Sequence, residues 1–236
     1  VKKAQAEIKE NTYEITDTLI VLEHELDEII KETLKFNNIS LKGLHCHIGS
    51  QIFDNKSFVL AVDKMTNYYK YLKDSFDLEL EILNLGGGFG IYYNEDDKKI
   101  TLDDYSQAVK LIANQLDNQI ASLGIKKPYL ILEPGRSIVG EAGITLYKIG
   151  RIKEIKGLKN YISIDGGMFE NPRYALYQSK YTPILAGRAN EKSTQTVSIA
   201  GKCCESGDLI AEDCMLPKTN VGDILCVLST GAYNYS

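Results

Sequence analysis

Short apolar runs alternate with longer amphipathic segments through the first half of the chain. The runs at residues 39–46, 80–85 and 129–132 are short and are bounded by polar residues or glycine, so they predict β-strands. Strands that alternate with helices run in the same direction, because each helix carries the chain back to the start of the sheet. The pattern therefore predicts an α/β fold of parallel βα units, either a barrel or a doubly wound sheet.

The segments around these runs predict amphipathic helices. One helix is expected over residues 17–36. A second begins near Asp54 or Ser57, since either side chain can cap a helix. A third spans about residues 102–123 and is followed by Gly124, a residue typical of helix C-termini. The apolar positions of the first two helices that recur at helical spacing are Leu19, Leu22, Leu26, Ile29, Ile30 and Leu34, then Phe58, Val62, Met65, Tyr69 and Leu72.

The pattern changes after Arg136. Four later segments are rich in Ile, Val, Tyr and Thr and show little helical periodicity: residues 144–155, 160–165, 195–201 and 223–229. They predict a mostly antiparallel β-domain. We place the boundary near residues 137–143 and expect two domains, 1–138 and 139–236.

Composition narrows the class of protein. The chain has 236 residues and a net charge of -5, which gives no electrostatic reason to expect nucleic acid or an anionic membrane as a partner. Its five cysteines are odd in number and form no CxxC pair, which argues against a secreted disulfide framework and a structural zinc site. We therefore expect a protein of the reducing cytoplasm that binds no metal.

The candidate chemistry follows the three predicted strands. Residues 43–51 read GLHCHIGSQ, residues 85–90 read LGGGFG, and residues 133–136 read EPGR. Residues just past the strand ends form the active-site rim of an α/β barrel. The three motifs supply an imidazole, a glycine turn whose amides can face an anion, and a carboxylate beside a guanidinium. This set suits a planar, phosphorylated cofactor that contains nitrogen.

Each of these residues has two interpretations. Glu133 can pair with a protonated ring nitrogen and Arg136 with a carboxylate or phosphate, or the two can form an ion pair that closes a turn. His47 can stack on a ring or relay a proton, or it can be a core histidine. The glycine triplet can bind phosphate or simply form a tight turn. We expect His45 and His47 to point to opposite faces of their strand and so to be poor joint metal ligands.

The predicted β-domain carries further candidates. The thiol of Cys204 stands beside the carboxylate of Glu205 and can protonate a carbanion, although a cysteine is often a small buried apolar residue. Arg173 and Tyr177 are four residues apart and can grip a carboxylate from one helical turn, or lie in a solvated turn. Tyr233 lies in a tyrosine-rich segment that by itself indicates only a turn or a helix start.

Taken together the motifs resemble those of the fold-type III pyridoxal-phosphate-dependent decarboxylases, in particular those that act on diaminopimelate. HCHIGSQIFD, LNLGGGFG, EPGRSIVGEAG, DGGMFENPRYALYQSKY, GKCCESGDLI and GAYNYS occur in the family's order, and the resemblance covers about residues 38–236. It implies the C-terminal portion of a TIM-type β/α barrel that binds pyridoxal 5'-phosphate, in 1–138, followed by a β-sheet domain with a proton-donor cysteine, in 139–236.

The resemblance also implies a role for each candidate. His47 would stack on the cofactor ring, the carboxylate of Glu133 would face its pyridine nitrogen, and Cys204 would donate the proton. Glu205 would meet the far ammonium of diaminopimelate, and in the family Cys204 and Glu205 reach across a homodimer interface. The residues implied at the cofactor are His47, Ser50, Gly86, Gly87, Gly88, Glu133, Pro134, Gly135, Arg136 and Tyr233. Among them, Ser50, Gly88, the backbone of Glu133 to Arg136 and Tyr233 would lie on its phosphate side. Those implied at the substrate's far end are Arg136, Arg173, Tyr177, Glu205 and Tyr233.

One feature departs from the family. Its Schiff-base lysine lies early in the barrel, in a Tyr-Ala-x-Lys-Ala-Asn-like context, whereas only 46 residues precede His47 here, and neither Lys2 nor Lys3 is assigned that role. We expect a piece of a decarboxylase that lacks the barrel start and the extreme C-terminus. Two alternatives stay open. One is decarboxylation of ornithine or arginine, and the other is a truncated, non-catalytic relative that binds a regulatory partner.

Overall fold

The computed structural model describes residues 2–10, 13–21 and 23–234. The chain forms two compact units. One consists of the chain up to Gly90 together with Ile100–Pro134, and the other of Ile91–Lys99 together with the chain from Gly135 onward. In the described part of the chain no helix has the length and apolar character needed to span a membrane. The division into folding domains 1–138 and 139–236 stays a prediction.

The first unit is a mixed sheet with helices. Its sheet has the order β2-β1-β3-β4-β5, in which β3, β4 and β5 are parallel and β1 is antiparallel to both β2 and β3. The parallel βα units predicted from the sequence are therefore present, and the chain has the α/β, partial-barrel fold class. The elements are β1 (Lys2–Glu10), β2 (Tyr13–Val21), α1 (Leu26–Thr33), β3 (Ile39–Cys46), α2 (Asn55–Phe76), β4 (Ile82–Asn84), α3 (Leu102–Leu123) and β5 (Tyr129–Ile131).

The helix predicted over residues 17–36 is wrong in its first part. That part belongs to β2, and the α-helix begins only at Leu26. The segment 16–21 reads TDTLIV and is rich in β-branched residues, which favour strands, and its pairing with β1 outweighs the helical spacing of its apolar residues. Leu26 and Ile30 are buried as predicted, whereas Leu22 lies outside the described residues.

The two long helices follow the sequence closely. The side chain of Asp54 caps α2 by accepting a hydrogen bond from the amide of Lys56 at 2.9 Å. Helix α3 begins with a capping box between Thr101 and Asp104 and ends at Gly124, whose φ is +60°. The predicted inner stripe of α2 is buried in the core of the first unit at every position: Phe58, Val62, Met65, Tyr69 and Leu72.

The second unit contains a six-stranded sheet of order β10-β9-β7-β6-β11-β8. All its neighbouring strands are antiparallel except β7 and β9, so the prediction of a mostly antiparallel sheet is confirmed. Its core is formed by residues such as Ile149, Ile162, Val197 and Leu225. The elements are α4 (Gly135–Val139), β6 (Thr145–Ile155), β7 (Lys159–Ile164), α5 (Arg173–Tyr177), β8 (Pro183–Leu185), β9 (Gln195–Ala200), β10 (Leu209–Leu216) and β11 (Ile224–Val227).

The capping box of α3 predicts a measurable contribution to stability. Substitution Thr101→Ala removes the hydroxyl that accepts a hydrogen bond from the amide of Asp104, so we expect it to lower the free energy of unfolding by about 1 kcal/mol. Urea denaturation followed by circular dichroism measures this change. Ser106→Ala, at an exposed position inside the same helix, is the control and should change stability little. Equal effects of the two substitutions would contradict the capping role.

Candidate active site

The ends of three parallel strands lie side by side in the first unit. Register pairs His45 of β3 with Asn84 of β4, and Asn84 with Ile131 of β5. Because the strands run in the same direction and stop at this level, the chain that follows each one leaves the sheet at a common edge. These following segments carry His47, the glycine turn at 86–88 and Glu133.

The glycine turn packs directly against its neighbours. A Cβ built on Gly87 would lie 2.1 Å from the carbonyl oxygen of Glu133, and one on Gly88 would lie 2.2 Å from the carbonyl oxygen of Gly49. Gly86 and Gly88 also have φ values of +69° and +96°, which side-chain-bearing residues rarely adopt. The carbonyl of Gly86 accepts a hydrogen bond from the amide of Glu133 at 2.8 Å. Only glycines allow this approach of the three strand ends.

The carboxylate of Glu133 accepts a hydrogen bond from one side chain of a neighbouring strand and lies near a second. Nδ2 of Asn84 donates to its Oε1 at 2.7 Å, and Nε2 of His45 lies 3.7 Å from its Oε2. Oδ1 of Asn84 accepts a hydrogen bond from the amide of Gly86 at 2.8 Å, so this one side chain fixes both the glycine turn and the carboxylate. The Glu133 side chain is half exposed, which leaves it able to face a ligand.

The expectation that His45 and His47 face opposite ways is wrong. The position of a Cβ on Gly86 lies 3.1 Å from Nε2 of His45 and 3.1 Å from Nδ1 of His47, so both imidazoles approach the same glycine. Residues two apart along a strand lie on the same face, so His45 and His47, at the end of β3 and just after it, point the same way. His45 is buried and His47 is exposed. The same spacing rule identifies His45 as a site residue that sequence reasoning missed.

This edge of the sheet fits a phosphorylated pyridine. In the part of the chain that the structure describes, the backbone amides of Gly87 and Gly88 donate to no protein acceptor, so both are available to an anion. The fixed, half-exposed carboxylate of Glu133 suits a ring nitrogen, and the exposed imidazole of His47 suits the face of a ring. Ser50 is exposed in the segment that follows β3. The residues predicted from the sequence are thus compatible with pyridoxal phosphate.

The second unit buries two arginines around one tyrosine. Arg136 and Arg173 are 9% and 8% exposed. The guanidinium carbon of Arg173 lies 4.2 Å from the ring centre of Tyr93, and that of Arg136 lies 5.6 Å from the same ring. Nη1 of Arg136 also donates a hydrogen bond to the hydroxyl of Tyr93. Burial raises the pKa of Tyr93 despite the two guanidiniums, which lower it, so the phenol stays protonated at neutral pH.

Further aromatic residues surround this pair. The ring of Tyr233 lies 4.5 Å from the guanidinium carbon of Arg136, and Nη1 of Arg173 donates to the hydroxyl of Tyr181 at 3.3 Å. Arg173 forms no ion pair within residues 23–234. A buried guanidinium without an anion is costly, so the cluster is suited to bind a carboxylate. Tyr93 and Tyr181 were missed because each lies beside or at the end of a motif without any local signal of its role, which arises only from contacts between distant segments.

Three predicted residues are not brought into this cluster. Tyr177, Cys204 and Glu205 are exposed, and no hydrogen bond or ring contact described within the second unit joins them to the arginines. Tyr177 follows Arg173 by one helical turn in α5, while Cys204 and Glu205 occupy the loop between β9 and β10. Burial raises the pKa of the adjacent Cys203, and its hydrogen bond with Asp208 adds to that effect.

The chain is similar to known decarboxylases in sequence and in structure. The diaminopimelate decarboxylase of Bacillus methanolicus is 48% identical over 210 residues, which are 89% of this chain and 48% of that protein. The diaminopimelate decarboxylase of Bacillus subtilis strain 168 is 47% identical over 210 residues, or 89% of this chain and 47% of that protein. The crystal structure of diaminopimelate decarboxylase from M. jannaschii with L-lysine has a TM-score of 0.76 at 38% identity, covering 89% of this chain and 46% of that one.

The chain therefore spans about half the length of the curated relatives it matches. Residues 20–140, more than half of the chain, match the family described as pyridoxal-dependent decarboxylase, pyridoxal binding domain. The matched region contains β3, the glycine turn and Glu133, whose geometry fits a phosphorylated pyridine. The chain belongs to the pyridoxal-dependent decarboxylase family.

Proposed function

We propose that this chain serves the decarboxylation of meso-2,6-diaminopimelate to L-lysine and CO2, the last step of lysine synthesis. The observation that carries the proposal is the pair of buried arginines, Arg136 and Arg173, which both contact the ring of Tyr93. Diaminopimelate has a second carboxylate at its far end, whereas ornithine and arginine have none. A buried guanidinium increases the affinity for a substrate that carries this carboxylate. It lowers the affinity for a substrate that leaves the buried charge unpaired.

The first unit supplies the groups that would hold pyridoxal phosphate. His47 would cover the ring face, and the carboxylate of Glu133 would accept a hydrogen bond from the protonated ring nitrogen. The amides of Gly87 and Gly88 would contact phosphate oxygens, with Ser50 and Gly86 beside them. Pro134 of this unit, and Gly135, Arg136 and Tyr233 of the second unit, are the other proposed cofactor contacts. When bound, the cofactor supplies an electron sink for the electron pair left by CO2.

The second unit supplies the groups for the substrate. Arg136, Arg173, Tyr177 and Tyr233 would orient the far carboxylate, and Glu205 would accept hydrogen bonds from the far ammonium. The carbon–carboxylate bond breaks, its electron pair remains at Cα, and the thiol of Cys204 donates its proton there. Contacts to the far carboxylate and ammonium would determine which of the two α-carboxylates is placed for cleavage, because they bind the other amino-acid end of the substrate.

We infer that the protein forms a homodimer and that it works in the reducing cytoplasm. Cys204 and Glu205 are exposed on their loop and contact neither arginine within the second unit, which supports their action in the site of a second copy. The five cysteines are all free thiols, two of them buried, which suits a reducing compartment.

Two other functions are less well supported. Decarboxylation of ornithine or arginine would leave the buried guanidinium of Arg173 without its carboxylate. A non-catalytic binding protein would have no physical need for an ordered Glu133 carboxylate or for free amides in the glycine turn.

A substrate panel tests the proposal. The complete protein that carries this chain, loaded with pyridoxal phosphate, should release CO2 from diaminopimelate and form lysine. We expect a kcat/KM at least about a hundredfold lower with ornithine or arginine, because those substrates leave a buried charge unpaired. Comparable turnover of ornithine or arginine would favour the alternative enzyme. Absence of turnover with every amino acid, in a folded protein that binds the cofactor, would favour the binding protein.

Arg173 should determine the affinity for the far carboxylate. Substitution Arg173→Met keeps much of the side-chain volume and removes the charge, so we expect KM for diaminopimelate to rise about 10- to 100-fold, as the loss of one hydrogen bond to a charged group implies. Steady-state kinetics measure the change. Arg151→Met, at an exposed position of β6, is the matched control and should leave KM unchanged. An unchanged KM in the Arg173 variant would contradict its role.

A further inference from the structure

The loop between β9 and β10 has a single buried side chain. Residues 202–207 are all exposed, including Cys204 and Glu205, whereas Asp208 is 3% exposed. A loop whose side chains face solvent has no apolar packing to fix it. The position of Cys204 therefore depends on hydrogen bonds of the backbone and on Asp208.

The carboxylate of Asp208 binds two separate segments of backbone. Its Oδ2 accepts a hydrogen bond from the amide of Cys203 at 2.7 Å, and its Oδ1 accepts one from the amide of Met168 at 2.6 Å. The carbonyl of Asp208 also accepts a hydrogen bond from the amide of Gly201 at 2.8 Å, which closes the base of the loop. Hydrogen bonds to a carboxylate are stronger than those between neutral groups. The Asp208 side chain thus joins the loop to the turn at residues 166–168, in addition to the hydrogen bond that the amide of Lys202 donates to the carbonyl of Gly166 at 2.9 Å.

Two glycines make room for this carboxylate. A Cβ on Gly201 would lie 2.2 Å from Oδ2 of Asp208, and a Cβ on Gly167 would lie 2.7 Å from the same oxygen. Within residues 23–234 no lysine or arginine forms an ion pair with Asp208. A buried carboxylate without a cation is tolerated only when N–H groups satisfy it, so the two backbone amides are its compensation.

The turn bound by Asp208 leads directly to the substrate arginine. The carbonyl of Gly167 accepts hydrogen bonds from the amides of Glu170 and Asn171, at 3.2 and 3.1 Å. Asn171 is 1% exposed, and α5 begins two residues later at Arg173. The carboxylate of Asp208 therefore binds the loop that carries Cys204 and Glu205 to the turn that precedes Arg173.

We propose that Asp208 is a positioning residue, which fixes the direction of the Cys204 thiol by holding the 201–208 loop against the turn that precedes Arg173. The proposal rests on the proposed function, because it gives Cys204 its reaction. Asp208 itself touches neither substrate nor cofactor. It acts through the amide of Cys203, the residue next to Cys204 in the chain.

Hydrogen exchange of the unmodified protein tests the anchor without any variant. We expect the amides of Met168 and Cys203 to exchange at least about tenfold more slowly than the amide of Ser206, which lies in the same loop and is exposed. Equal exchange of Cys203 and Ser206 would overturn the anchor. This measurement does not depend on enzymatic activity.

The substitution Asp208→Asn tests the consequence. It replaces one acceptor oxygen by a donor nitrogen, so one of the two backbone amides loses its acceptor. We expect faster exchange in residues 166–168 and 201–208, a kcat at least tenfold lower, and a larger solvent deuterium isotope effect on kcat because proton delivery by Cys204 becomes slower. The control is Asp223→Asn, since Asp223 also accepts a backbone N–H, from Asn220 at 2.8 Å, in another loop of the same unit.

The outcomes separate the two proposals. Faster exchange with unchanged kcat and isotope effect would overturn the positioning role, as would equal kinetic effects of the Asp208 and Asp223 substitutions. If the unmodified protein decarboxylates no diaminopimelate, the proposed function is wrong, and so is the positioning role of Asp208 in that reaction. The hydrogen-exchange data still decide whether Asp208 anchors the loop.

Discussion

The candidate site depends on the packing of the Gly86–Gly88 backbone against two neighbouring strand ends. Cβ atoms on Gly87 and Gly88 would come within 2.1 and 2.2 Å of carbonyl oxygens of Glu133 and Gly49, so glycine is required by space as well as by φ. This packing brings the ends of β3, β4 and β5 to one edge, where Asn84 can reach both the turn and the Glu133 carboxylate. The phosphate contacts proposed for the amides of Gly87 and Gly88 would need no side chain, so the side chains nearby would remain available for the cofactor ring.

The second unit works by a different principle. Its key groups are the long, charged side chains of two arginines, which contact aromatic rings. Arg136 and Arg173 both contact the ring of Tyr93, Tyr181 accepts a hydrogen bond from Arg173, and Tyr233 stacks on Arg136. Rings hold a guanidinium in place without neutralising it, so the charge is retained for a carboxylate ligand. The Cys204 loop is likewise positioned by polar contacts. The buried carboxylate of Asp208 binds two backbone amides there, and the exposed side chains of the loop provide no hydrophobic packing.

The sequence was sufficient for features that depend on local patterns. The strands that carry the site, the inner stripe of α2 and the cap at Asp54 follow from periodicity and from side-chain chemistry. The sequence was insufficient where contacts between distant segments determine the structure. The second part of β2 is rich in β-branched residues and pairs with β1, although the spacing of its apolar residues also suits a helix. Asn84 and Asp208 have no signature beyond their motifs, because their roles arise from contacts across the fold. His45 was within reach, since residues two apart in a strand share a face.

The affinity of a glycine variant for pyridoxal phosphate shows whether the cofactor site depends on the packing of Gly86–Gly88. In the complete protein, pyridoxal phosphate binding is titrated by absorbance for Gly87→Ala and for Gly150→Ala, whose added Cβ would meet only an ordinary contact at 3.8 Å. Circular dichroism confirms that both variants are folded. The account predicts that Gly87→Ala weakens binding at least tenfold, because its Cβ separates the glycine turn from Glu133, while Gly150→Ala binds as the unmodified protein does. Unchanged affinity in a folded Gly87→Ala protein would contradict the account.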